Sequence, residues 1–299
     1  MSESERGMIA VWNLAFGISP EALLYDLIYI YEFEGDLTSE FPKVKDEDYV
    51  GFWKESGYSF LFFRKPKKRI MEQLPVPLRS ELFIRHEDWE SGTPIGILHV
   101  GNILLHPPWI NPPAGDAARI CIDPGMAFGS GYHPSTRNCL TLLQRLFAQH
   151  VPGRVLDLGC GTGILSIACL KLGSETAYAI DNNNLSIDVA RTNRLINDAA
   201  GHMHLVMGNA ADFLHIPADI LLANIHYTVI DELTRHELFY TKEYCLVSGL
   251  LGSEGHRIEE RLKDRLELVD TCSENFWFTY LFRNKSQITM SKSQTNSKI

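Results

Sequence analysis

The sequence predicts an α/β fold with a parallel sheet, preceded by a smaller α+β domain. Three observations support this prediction. Apolar and amphipathic segments alternate from about residue 154 onward, a proline-rich segment separates two differently patterned regions, and a glycine-rich turn joins a predicted strand to the helix after it. Such alternation is typical of βαβ units, whose helices cover both faces of a parallel sheet.

The elements of the second region follow one another in a regular order. Short runs rich in apolar residues predict strands at 154–158, 176–180, 204–207, 220–223 and 245–251. Segments with apolar residues on one helical face predict helices at 163–171, 185–197, 230–239 and 256–265. The last two predicted strands, 267–270 and 276–282, are close enough in sequence to form an antiparallel hairpin.

The first hundred residues mix aromatic runs with glycine and proline breaks. Residues 21–31 have the apolar spacing of one helical face, whereas 58–63, 81–84 and 96–100 have the composition of strands. We therefore predict an N-terminal α+β domain and a larger domain after it. The predicted division is 1–105 for the first domain, 106–118 for a linker, 119–284 for the main domain and 285–299 for a disordered tail.

Composition and charge exclude several classes of protein. The chain is 45% hydrophobic and 22% charged, which are ordinary globular values, so we exclude a fibrous or wholly disordered chain. The 28 basic residues against 37 acidic ones leave a formal net charge of −9, which suits nucleic-acid binding poorly. The sequence has neither a membrane-spanning apolar run nor the pattern of a signal peptide, so we expect a cytoplasmic protein with no membrane partner.

Cysteine and histidine spacing gives no indication of a metal site. The six cysteines are scattered and form no C-x-x-C pair, so neither a disulfide framework nor a zinc site is expected. His202 and His204 have no third ligand near them in sequence.

The strongest single motif is VLDLGCGTG at residues 155–163, which is followed at once by the predicted helix ILSIACL. Glycine has no Cβ, so the backbone can turn sharply and approach a ligand, and the helix after it is expected to present free N–H groups. The G-x-G-x-G spacing differs from dinucleotide and phosphate-loop motifs. The second strand runs into Asp181, where a carboxylate can bind a ribose diol.

Together, the turn and the acid predict a nucleoside cofactor with a free amino-acid end, S-adenosylmethionine. The alternative is a glycine turn that serves packing alone. The cofactor contacts predicted within the motif are Asp157, Gly159, Gly161 and Gly163.

The segment DPGMAFGSGYHPST at residues 123–136 precedes the glycine turn. With DLGCGTG, Asp181 and LANI at 222–225, it closely resembles the PrmA-type ribosomal-protein lysine methyltransferases. The resemblance covers roughly residues 79–283, including EDW at 87–89 and PPW at 107–109, whereas the first 80 or so residues diverge. It implies a seven-stranded, Rossmann-like class I methyltransferase domain whose cofactor is S-adenosylmethionine and whose partner is a basic ribosomal protein. It also implies that the N-terminal domain, 1–105, recruits the substrate.

The resemblance also implies roles for single residues. Residues 127–131, here named the covering loop, would lie over the cofactor, and Asn224 would follow the fourth strand beside the reacting methyl group. The implied cofactor contacts are Phe128, Thr136, Gly159, Asp181, Asn209, Ala210 and Asn224. The alternative role of Asn224 is to cap the next helix, because asparagine favours that position.

The sequence is compatible with three hypotheses of function. The first is an N-methyltransferase that acts on a protein lysine. The second keeps the enzyme but gives it a small-molecule amine or another protein as acceptor. The third is a non-catalytic scaffold that only binds the cofactor. The participation of His226, Tyr227 and Glu254 in catalysis and the oligomeric state are left open.

Overall fold

The computed structural model describes residues 27–37, 46–55, 57–84, 95–115 and 117–286. The chain divides into two compact units, with the boundary between Trp89 and Glu90. Within the described ranges, no helix combines the length and apolar character that a bilayer crossing requires. In the same ranges, acidic, histidine and cysteine side chains form no group of three that could hold a metal ion.

The first unit contains a four-stranded antiparallel sheet. Its strands are β1 (Ile28–Glu34), β2 (Tyr49–Glu55), β3 (Tyr58–Phe63) and β4 (Leu78–Ile84), in the order β2-β3-β1-β4, with a short helix α1 (Lys68–Met71) between β3 and β4. Tyr31, Phe33 and Phe63 belong to its aromatic core, in which the Tyr31 and Phe63 rings meet edge to face at 6.0 Å.

The predicted helix at 21–31 is wrong over its described part, because Ile28–Tyr31 belongs to β1. This strand pairs with β3 on one side and β4 on the other. Isoleucine and tyrosine favour strands, and the partner strands override the helical spacing of the apolar residues. Residues 21–26 lie outside the described residues.

The second unit contains a seven-stranded sheet in the order β10-β9-β8-β11-β12-β14-β13. The first five strands in this order are parallel, and the last two form an antiparallel hairpin. The strands are β8 (Arg154–Leu158), β9 (Thr176–Asp181), β10 (Met203–Met207), β11 (Ile220–Asn224), β12 (Tyr244–Leu251), β13 (Leu266–Glu274) and β14 (Trp277–Asn284). The predicted parallel sheet and hairpin are therefore confirmed.

Helices cover both faces of this sheet. They are α2 (Pro134–Phe147), α3 (Ile164–Leu172), α4 (Asn184–Ile196), α5 (Tyr227–Leu233) and α6 (Gly252–Leu262). Helices α2 to α4 contribute to one core cluster and α5 and α6 to another, while Val155 and Leu156 of β8 point into opposite clusters. Such burial on both faces explains why the strands read as continuous apolar runs.

The proline-rich segment does not separate the two units. Strands β5 (Leu98–Val100), β6 (Ile103–His106) and β7 (Ala118–Cys121) form a small sheet in which β6 and β7 are parallel neighbours. The prolines between β6 and β7 therefore lie in a loop of the second unit, and the predicted linker at 106–118 is displaced from the observed boundary. Prolines indicate a loop without indicating what it connects. Most of the predicted tail, 287–299, lies outside the described residues.

Two predicted helices begin or end elsewhere because of local capping. The predicted helix 230–239 is observed as α5, which begins at Tyr227 because His226 caps it by accepting the Thr228 N–H, and a separate 3-10 helix at Glu237–Thr241. Helix α6 begins at Gly252 instead of His256, because the Glu254 carboxylate accepts the Leu251 N–H at 2.8 Å. Glu254 therefore has a capping role.

The hairpin between β13 and β14 has a two-residue turn that is unfavourable for one of its residues. Asn275 and Phe276 have φ values of 48° and 68°, and the Phe276 side chain is 85% exposed. Asparagine tolerates this left-handed region, whereas phenylalanine adopts it only at a steric cost.

We expect Phe276→Gly to raise the free energy of unfolding by about 1 kcal/mol in urea denaturation. Asn275→Gly is the control and should change it little; a loss of stability in Phe276→Gly would contradict the prediction.

Candidate active site

The predicted site residues meet at the carboxyl edge of the parallel strands. Gly159 follows β8, Asp181 ends β9 and Asn224 ends β11. The strand order reverses between β8 and β11, because the chain runs outward from β8 through β9 to β10 and then returns to β11. Such a reversal opens a crevice at the carboxyl ends of the strands, where ligands bind in α/β sheets.

The glycine turn requires glycine at each of its three glycine positions. Gly159, Gly161 and Gly163 have φ values of 75°, 54° and 81°. A Cβ on Gly161 would overlap the Phe128 carbonyl oxygen, and a Cβ on Gly159 would overlap the Ile225 side chain. The missing Cβ atoms therefore let two other protein segments approach the turn.

The backbone N–H groups of the turn itself are already used within the protein. All five N–H groups from residue 159 to 163 donate to protein acceptors: Gly159 and Cys160 to Ile180 O, Gly161 to Asp181 Oδ2, Thr162 to Phe128 O, and Gly163 to Cys160 O. The turn therefore shapes the crevice chiefly through its close packing.

Asp181 joins the glycine turn to β9 and remains able to accept a ligand donor. Its Oδ2 accepts the Gly161 N–H and its Oδ1 accepts the Asn183 N–H, both at 2.9 Å. Burial raises the pKa of the Asp181 carboxyl, and these backbone bonds oppose the rise. An ionised carboxylate has about four acceptor sites, so Asp181 can still accept a hydroxyl donor beside its backbone bonds.

Asp157 lies beneath the turn and contacts the helix that follows it. Its Oδ2 accepts the Ser166 N–H at 3.2 Å and the Ser166 hydroxyl at 2.7 Å, which joins the interior of β8 to the first turn of α3. Burial raises the pKa of Asp157 to about 6. The sequence predicted only a cofactor contact here and did not indicate this structural role.

The covering loop lies directly against the glycine turn. Thr162 donates its N–H to Phe128 O at 3.0 Å and its hydroxyl to Gly129 O at 2.6 Å. The Phe128 ring meets the His133 ring at 4.9 Å, and His133 in turn meets Trp277 at 4.7 Å. These three rings form an aromatic wall that sequence reasoning missed.

His133 is held in this wall by polar contacts as well. Its Nδ1 accepts the Ser135 N–H at 3.3 Å and lies 2.8 Å from the Ser135 hydroxyl, so the imidazole caps α2. Burial and the nearby Arg137 lower the pKa of His133. Arg137 also donates to both carboxylate oxygens of Glu274, at 3.0 and 2.5 Å, and thereby ties α2 to the hairpin.

Asn224 presents an unpaired acceptor in this part of the site. Its Nδ2 donates to the hydroxyl of the buried Thr136 at 3.4 Å, while its Oδ1 is buried and has no hydrogen-bond partner within the described chain. A buried acceptor without a donor is costly, so such an atom marks a place where a ligand donor would be favourable. The cap of α5 is His226, so the capping alternative for Asn224 is wrong.

The remaining predicted contacts lie at the same edge of the sheet. Asn209 begins the 3-10 helix Ala210–Phe213 just after β10 and is exposed, whereas Ala210 is buried. The Gly208 N–H donates to Asp181 O at 2.9 Å, which brings this segment beside the end of β9. Tyr227 and His226 bond within α5, to Asp231 and Thr228 respectively.

Comparisons with known proteins agree with this arrangement. Residues 82–285 match the family described as "Ribosomal protein L11 methyltransferase (PrmA)". A relative with the same description from Synechococcus sp. (strain RCC307) is 38% identical over 180 residues, which cover 58% of this chain and 59% of the relative. Another, from Myxococcus xanthus (strain DK1622), is 35% identical over 196 residues, 64% of this chain and 67% of the relative. The chain thus matches about three-fifths to two-thirds of their lengths.

A solved structure shows the same fold. The ribosomal protein L11 methylase from Lactobacillus delbrueckii subsp. bulgaricus superposes with a TM-score of 0.55 at 24% identity. The superposition covers 64% of this chain and 99% of that chain. The second unit therefore has the Rossmann-like fold of class I methyltransferases.

The buried Asp157 carboxyl makes stability depend on pH. Its pKa rises from 3.8 to about 6 on folding, so the folded chain holds this proton more tightly than the unfolded chain does. Its contribution is fully present below pH 4 and is lost as the pH rises through 6, at a cost of up to about 3 kcal/mol. We expect Asp157→Asn, which cannot ionise, to remove this loss when free energies of unfolding are measured at several pH values.

Asp219→Asn is a control, because the contribution of Asp219 to stability should change with pH in the opposite direction to that of Asp157. Burial opposes the shift, but the bonds from Arg154 hold the pKa of Asp219 below its ordinary value. Its contribution is therefore present at neutral pH and lost as the pH falls. An unchanged pH dependence in Asp157→Asn would contradict the raised pKa.

Proposed function

The chain belongs to the ribosomal protein L11 methyltransferase (PrmA) family, and from this membership we propose that it transfers methyl groups from S-adenosylmethionine to a lysine nitrogen of a ribosomal protein. The observation that carries the proposal is the buried, unpaired Oδ1 of Asn224 beside the crevice. An incoming amine would supply the donor that this oxygen lacks. We further propose that the first unit recruits the substrate and that the reaction occurs in the cytoplasm.

The residues around the crevice fit the proposed cofactor. The Asp181 carboxylate has acceptor capacity beyond its backbone bonds for a ribose hydroxyl, and the 43% exposed Phe128 side chain offers an apolar cover. Asn209 and Ala210 would hold the adenine edge, and the Thr136 hydroxyl would approach the cofactor from α2. When bound, the cofactor supplies a methyl group activated by its sulfonium charge.

The chain would contribute to the reaction mainly by aligning the acceptor amine with the methyl group, and less by acid–base chemistry. A lysine acceptor must be neutral to have a lone pair, and burial beside a cation lowers the pKa of its ammonium group. Asn224 Oδ1 would accept an N–H of the neutral amine and so direct its lone pair. Fixing the direction of attack and excluding water can supply much of the rate enhancement.

The first experiment is a transfer assay. Radiolabelled methyl from S-adenosylmethionine would be offered to a lysate from which this protein has been removed, with purified protein added back. We expect label in one basic band of ribosomal-protein size, and at least about tenfold less label with Asp181→Ala at low cofactor concentration. Asp188→Ala, which removes an exposed carboxylate from α4, is the control and should leave labelling unchanged.

The other outcomes separate the alternatives. Label in a small-molecule fraction or in another protein would retain the methyltransferase and overturn the ribosomal acceptor. Measurable cofactor binding with no label in any fraction would support the scaffold instead.

Asp181 and Asn224 should affect different kinetic constants. Asp181→Ala removes the proposed ribose acceptor, so we expect cofactor affinity to fall about tenfold or more. Asn224→Ala should lower kcat about ten- to hundredfold with a smaller change in cofactor KM, because its contact serves the reacting amine. Asn224→Asp keeps an acceptor oxygen but adds a negative charge that favours the ammonium form of the lysine, so it should also lower kcat. Normal kcat in Asn224→Ala would remove the proposed role.

A further inference from the structure

Asn193 is a buried polar residue of α4 that is not among the proposed cofactor contacts. Its side chain is fully buried, and its amide makes three hydrogen bonds. Oδ1 accepts the Asp123 N–H at 2.8 Å, while Nδ2 donates to Asp123 O at 2.9 Å and to Thr162 O at 3.0 Å. One amide therefore joins the segment that enters the covering loop to the glycine turn.

Thr162 connects the same two segments at a second point. Its N–H and hydroxyl hold Phe128 O and Gly129 O, at 3.0 and 2.6 Å. The covering loop is thus bonded to the turn at its middle, and the turn and the segment before the loop are both bonded to Asn193. The covering loop, the glycine turn and Asn193 are therefore joined to one another by hydrogen bonds. The separation between the loop and the turn consequently depends on the Asn193 amide.

The contact between loop and helix leaves little room for compensation. Gly125 has a φ of 46°, and a Cβ there would lie 2.5 Å from Val189, one turn before Asn193 on α4. The segment before the covering loop is therefore packed closely against the Val189 side chain of α4. It cannot move closer to α4 if the Asn193 bonds are lost, but it can move away.

The chain offers a matched residue one turn later, at the C-terminal cap of the same helix. Asn197 is 5% exposed, accepts the Cys121 N–H at 3.0 Å, and donates to Cys121 O at 2.6 Å and to Asn193 O at 2.8 Å. Four helical residues advance about 6.0 Å and two extended residues about 6.6 Å, so successive turns of α4 meet Cys121 and Asp123 in register. Unlike Asn193, Asn197 makes no bond to the glycine turn.

We propose that Asn193 is a positioning residue that sets the spacing between the covering loop and the glycine turn, and thereby the affinity for S-adenosylmethionine. It acts through Thr162 and the loop and does not touch the cofactor. This inference rests on the proposed function, since it concerns the cofactor crevice of that reaction.

The test compares Asn193→Ala with Asn197→Ala in the full chain. Both variants lose three hydrogen bonds of one buried amide, so we expect similar decreases in the midpoint of thermal unfolding. Binding of S-adenosylmethionine would be measured by calorimetry below that midpoint. We expect Asn193→Ala to weaken binding about tenfold and to raise cofactor KM with kcat within about threefold, and Asn197→Ala to bind within about twofold of the unmutated chain.

Thr162→Val is a second variant that tests the same inference if Asn193→Ala does not fold. It removes the hydroxyl bond to Gly129 while Asn193 stays in place, and it should also weaken cofactor binding with little change in kcat. If both variants fold, their effects on the affinity for S-adenosylmethionine should be less than additive, because both weaken the same set of hydrogen bonds between the loop and the turn. Equal cofactor affinities in Asn193→Ala and Asn197→Ala, or unchanged affinity in Thr162→Val, would overturn the inference. Absence of binding by the unmutated chain would instead overturn the proposed function.

Discussion

The arrangement of the site depends on the close approach of the covering loop to the backbone of the glycine turn. The Phe128 carbonyl would clash with a Cβ on Gly161, and the Ile225 side chain would clash with a Cβ on Gly159. Only glycine combines these φ values with such neighbours, so the turn determines where the loop and the end of β11 lie. Asp181 adds a third connection, because it accepts the Gly161 N–H and joins the turn to β9.

The fold was most predictable where burial imposes a pattern on the sequence. Strand β8 is buried on both faces, and its apolar run ends at the first glycine, so both of its ends were predicted correctly. Residues 28–31 fit a helical spacing as well as a strand, and only pairing with β3 and β4 distinguishes the two. Helix α2 was missed because its first residues belong to the loop motif and polar residues such as Asn138 and Gln144 interrupt its apolar face.

The site was predictable where its residues follow strand ends in order along the chain. Gly159, Asp181 and Asn224 meet because parallel strands bring their carboxyl ends to one edge. Contacts between distant segments have no such local pattern. The Phe128, His133 and Trp277 rings meet only because the hairpin packs beside α2, and Asn193 reads in the sequence as an ordinary helical residue. For the same reason, the use of the turn's N–H groups by Ile180, Asp181 and Phe128 had no sequence signature.

The charges around the crevice bear on the proposed transfer to an amine. Asp157 and Asp181 are both buried on the strand side of the turn, and the charge of Asp181 contributes to the raised pKa of Asp157. Negative charge there would favour a cationic cofactor at short range, since burial weakens screening. On the acceptor side, Asn224 contributes a neutral amide oxygen. A carboxylate in that position would stabilise the ammonium form of a lysine and so oppose loss of its proton, whereas an amide accepts a hydrogen bond from the neutral amine without favouring the charged form.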